Sequence, residues 1–169
     1  FAEFYLAQQR AGRELQFYSC SGPAKTLDPS SYYRMQAWHC WQIGATGSFF
    51  WAFGDNGRAS SWNEYLAAAG PYTPLFLDAE TVTPGKHMEA IRESVEDYEC
   101  LVMLRNAVAK AKAASRSDAA VGRAEALLST AAQRALGEPK AEDLPWMVPK
   151  DRAAPDRVRV EILQALSEL

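Results

Sequence analysis

Trp51, Phe53, Asp55, Trp62 and Tyr65 bring aromatic faces and polar tips into one short stretch of the chain, with Asn56, Asn63 and Glu64 among them. Sugars suit such a surface, because their C–H faces stack on rings while their hydroxyls bond to Asp, Asn and Glu. Packing competes as a reading for Trp51 and Phe53, since aromatic residues on strands usually fill a core. Asp55, Trp62 and Asn63 fall in a loop, where burial is not the default and recognition is common.

Other chemistries find less support. Asp55 and Glu64 form a pair of the kind that hydrolyses glycosides, but their separation is not fixed by sequence and solvated loop carboxylates are the simpler reading. His39 sits among Trp38, Cys40 and Trp41, and His87 opens a helix; both fit structural roles better than a base or ligand. Ser19 and Cys20 lack a nucleophile-elbow glycine pattern. Cys20, Cys40 and Cys100 show no Cys-x-x-Cys spacing, so buried thiols are expected rather than zinc or disulfides, and the compartment stays open. Glu93, Glu96, Asp97 and Glu99 cluster early in a helix, where the dipole favours carboxylates. With no GxGxxG or P-loop pattern either, no metal and no cofactor are expected.

The elements that must position the aromatic group come just before it. Leu15 to Cys20 is β-prone, and Ser21-Gly22-Pro23 breaks it. Asp28-Pro29 sets a capping oxygen before a proline, opening a helix through Tyr32, Met35, Trp38 and Trp41 to Gly44. Ser48 to Phe53 reads as a second strand. A βαβ unit of this length predicts parallel strands, and ligands meet the loops after the carboxyl ends of such strands. Those loops begin at Cys20 and Gly54, with Tyr18 at the end of the first strand. Both strands are apolar on consecutive residues, which predicts a sheet covered on both faces.

Phe1 to Arg10 has a helical rhythm with Gly12 as its C-cap. A loop of roughly 30 residues, Gly54 to Gly85, far exceeds the usual length. Thr83-Pro84 then starts a long helix to about Ala114, with Met88, Ile91, Val95, Tyr98, Val102 and Arg105 as its stripe, widened by Leu101, Leu104 and Val108. Glu89–Arg92 and Arg92–Glu96 support its exposed flank. Asp118 caps a helix ending at Leu136-Gly137, the segment from Leu144 to Pro149 is expected to lie extended, and Asp156 opens a last helix with Val158, Ile162, Leu163, Leu166 and Leu169 on one side.

The 169 residues can bury a sizeable core, and 18 basic against 21 acidic residues give no electrostatic reason to expect nucleic acid. No apolar run approaches the roughly 20 residues of a membrane span. Opening on Phe-Ala-Glu-Phe, inside a helical pattern, the chain reads as an excised piece of a longer protein.

Four segments in this order carry a family resemblance: Phe17 to Pro23, Ala37 to Gly47, Phe50 to Phe53, and Met88 to Leu101. The run Glu89-Ala90-x-Arg92-x-x-x-Glu96-Asp97-Tyr98-Glu99 is the most specific. Together they resemble the carboxyl-terminal part of the catalytic domain of glycoside hydrolase family 123 and its relatives, over roughly Leu15 to Leu104. The resemblance implies hydrolysis of glycosides of N-acetylated amino sugars, typically N-acetylgalactosamine, with the substrate's acetamido oxygen as nucleophile. It also implies an adjacent Asp-Glu pair at the end of a barrel strand. Glu142-Asp143 is reversed and lies in the tail, so no catalytic residue is expected here and the pair belongs upstream. Two positions depart from the family pattern: Gly54-Asp55-Asn56 stands where another tryptophan is common, and His87 where arginine is common.

The expectation is an α/β chain: residues 1–114 as closing strands and helices of a (β/α)8 barrel, residues 115–169 as a helical extension packed on it. Tyr18, Trp51, Asp55, Asn56, Trp62 and Tyr65 are the expected substrate-binding group. The expected partners are a carbohydrate and either the rest of the parent protein or another chain. The alternatives are a non-catalytic module that binds glycans or packs against a partner, and an unrelated helical domain whose tryptophans form a core.

Overall fold

The computed structural model describes residues 2–19, 28–50, 74–137 and 151–169. Its elements are α1 (Ala2–Arg10), β1 (Gln16–Ser19), a π-helical turn (Ser30–Arg34), α2 (Met35–Ile43), β2 (Gly47–Phe50), β3 (Leu75–Leu77), β4 (Val82–Pro84), α3 (Lys86–Ala113), α4 (Ala119–Leu136) and α5 (Ala154–Glu168).

The barrel expectation is overturned. Among the described residues the fold is 69 % helical, four short strands form two separate two-stranded sheets, and no closing strands of a barrel are evident. The parallel pairing itself holds: β1 and β2 run side by side, Gln16 opposite Gly47 through Ser19 opposite Phe50. A single βαβ unit does not fix the number of strands around it, and here the pair stands alone among the described residues. Continuous apolar strands predict a sheet covered on both faces, yet Tyr18 is 58 % and Phe49 is 53 % exposed.

The long loop expected between residues 54 and 85 contains an antiparallel hairpin, β3 with β4. Asp78 closes it, accepting from the Glu80 and Thr81 amides at 2.9 and 2.8 Å and from the Thr81 hydroxyl at 2.7 Å. The Thr81 hydroxyl and these amides hold the Asp78 carboxyl below its ordinary range. Proline-rich flanks hid these strands, since proline is usually read against a ladder.

Helix ends follow their local chemistry. The Asp118 side chain accepts from Ala120 and Val121 at the start of α4, and Gly137 ends it at φ 73°. Gly44 ends α2 at φ 68°. A Cβ there would lie 2.5 Å from Gln9 Nε2, the atom that donates to the Ile43 and Gly44 carbonyls and so ties α1 to the end of α2. Asp28 begins the middle helix as expected, its carboxylate taking the Ser30 amide and Ser31 hydroxyl, both at 3.2 Å. The first turn is then π-helical, which the sequence pattern does not predict.

One core joins α2, α3, α4 and α5 through Trp38, Leu101, Leu104, Val121, Ala124, Ala131, Val158 and Ile162. Alanines on α4 let its neighbours approach closely. Two stripe assignments need correction. On the first half of α3 the buried positions are His87, Ala90, Ser94 and Asp97, one residue before the predicted stripe, and Val95 is 57 % exposed. On α5, Leu163 faces outward while Val158 and Ile162 are buried. In α3 the reason is polar: Ser94 Oγ accepts from the Ala37 amide and Asp97 binds three donor groups, so the inward face is not the most apolar one.

Candidate functional site

The parallel register determines what meets at the strand exits. Ser19 lies opposite Phe50, so the chain leaves both strands at the same end of the sheet. Tyr18 lies opposite Phe49, and residues facing each other in such a ladder share a sheet face. Both rings are largely exposed, side by side in the register just before the strands end. The opposite face is covered: Ser48 Oγ donates to Gln36 Oε1 at 2.7 Å, Phe17 lies 5.7 Å from the His39 ring, and Phe50 meets Tyr33 edge-on at 5.0 Å. The sheet thus has a buttressed side and an open aromatic side.

Of the six residues expected to bind substrate, Tyr18 is on the open side of β1. Trp51, Asp55, Asn56, Trp62 and Tyr65 lie outside the described residues, as do Glu64, Cys20 and the segment 144–149. Phe49 joins Tyr18 on this open side. Its register position opposite Tyr18 is the signal that identifies it, and register depends on the pairing rather than on residue type.

No protein-family model and no curated protein matches the chain.

The strongest electrostatic arrangement lies away from these exits, inside the helical core. Asp97 on α3 is 0 % exposed and Arg34, at the end of the π-helical turn, is 4 % exposed. Arg34 donates through Nε to Asp97 at 3.0 Å, and its other nitrogens reach Glu93 at 3.0 Å and Asp156 at 2.7 Å. Asp97 also accepts from Trp38 Nε1 at 2.8 Å and from Arg159 at 2.5 Å. Burial alone would lower the Arg34 pKa, but the bonds to Asp97 and Asp156 outweigh it and hold the guanidinium above its ordinary value. The carboxylate expected to be a helix-dipole group is therefore a buried hub joining four elements. A buried charge persists only when such partners surround it, and separations of tens of residues made the hub invisible in sequence.

His87 is fully buried, and its ring meets Tyr33 edge-on at 5.3 Å. Burial, aided by Lys86 and opposed by Asp28, pulls its pKa down to about 4, so it is neutral at pH 7. Cys40 is buried, which pushes its thiol up to about 11, and the Cys100 thiol is also raised, first by burial. Neither is poised as a nucleophile. Among the described residues, no group of three or more His, Cys, Asp or Glu could hold a metal ion. No helix among them is long and apolar enough to cross a membrane.

Proposed function

We propose that this chain is a substrate-contacting segment of a glycoside hydrolase acting on glycosides of N-acetylated amino sugars, with its acid–base pair supplied by residues outside the chain. The observation that carries this reading is the in-register parallel pairing of β1 and β2, with Tyr18 and Phe49 exposed beside the exits. The aromatic faces present a surface on which a sugar ring stacks. The sequence that follows β2 supplies Trp51, Asp55, Asn56, Trp62 and Tyr65 as stacking and hydroxyl-gripping groups. The family resemblance of residues 15–104 adds the acetamido sugar as substrate class.

Calorimetric titration of the 169-residue chain with N-acetylgalactosamine, with galactose as control, tests this. The reading predicts weak binding that prefers the acetamido sugar and falls at least several-fold in Tyr18→Ala and Asp55→Ala variants. It also predicts no turnover of an aryl N-acetylgalactosaminide by this chain alone. Equal binding of both sugars, or affinity unchanged in both variants, removes the proposed site.

A second reading is favoured by a specific observation. Phe4 and Tyr5 on α1 are exposed as well as Tyr18 and Phe49, and a two-stranded sheet has little stability of its own. A module that uses such exposed aromatic residues to pack against another segment or chain, without turnover, accounts for both facts. Sugar binding insensitive to such packing distinguishes the first reading from the second.

A further inference from the structure

We draw no further inference here: the strongest candidate, the cleft of about 260 Å³ between α2, β2 and the first half of α3, is walled mainly by apolar side chains, has Ser48 bonded to Gln36 and Ser94 to the Ala37 amide, and nothing in the structure shows what covers it.

Discussion

Arg34 and Asp97 are 63 positions apart in sequence and joined in the core, with Nε 3.0 Å from Oδ2. Through Trp38 and Arg159, the same carboxylate ties α2 and α5 to α3. Because α2 also buttresses the covered face of the β1–β2 sheet, this buried charge helps set where the strands stand.

Replacing Asp97 with Asn leaves Arg34, Arg159 and Trp38 competing for a weaker acceptor. The expected loss is about 3–5 kcal/mol, the range for breaking a buried ion pair by removing one partner. Chemical denaturation followed by circular dichroism measures it. A loss below about 1 kcal/mol, the level of an exposed pair, contradicts the hub.

His87 gives the fold a pH dependence with a definite sign. Its folded pKa is about 4 against 6.5 for the unfolded chain, so the unfolded state binds more protons between those values. Stability from this group is therefore complete above about pH 6.5 and declines as the pH falls toward 4. The decline is on the order of 1–3 kcal/mol. Denaturation curves at pH 7 and pH 5 for the wild type and His87→Gln read it, with the variant less sensitive. Identical pH slopes contradict a buried, neutral His87.

Much of the framework was legible before the structure. Asp28, Gly44, Asp118 and Gly137 punctuate helices through capping oxygens and left-handed turns, which are local effects. The parallel pair was legible because one helix of suitable length separates two apolar runs. Three features were not. The inward face of α3 carries His87, Ser94 and Asp97, whose burial depends on partners far away in sequence. The β3–β4 hairpin depends on the Asp78 turn against the local signal of its prolines. The extent of the sheet is a tertiary property, and a βαβ unit alone does not specify the number of strands around it. At the candidate site, Tyr18 could be chosen from type and position, whereas Phe49 required the register.

Two glycines separate backbone need from tolerance. Gly44→Ala places a methyl at φ 68° against Gln9 and is expected to cost about 1–2 kcal/mol, with faster proteolysis of α1. Gly122, exposed in α4, has open space where a Cβ would stand. Gly122→Ala is expected to stabilise by about 0.5–1 kcal/mol. Melting temperatures that move in the same direction for both variants contradict these assignments.

Cys40 should resist alkylation. With its thiol buried and raised to about 11, iodoacetamide at pH 7.5 should label the Cys40 peptide much more slowly in the native protein than in denaturant, as followed by mass spectrometry. Equal rates in the two states contradict its placement in the core.

The most direct measurement on the proposed site is amide chemical-shift mapping of the chain titrated with N-acetylgalactosamine. The account predicts saturable shifts at Tyr18, Ser19, Phe49 and Phe50, with α4 and α5 unaffected. Saturable shifts confined to α4 and α5, or none at any sugar concentration that gives heat on titration, would contradict it.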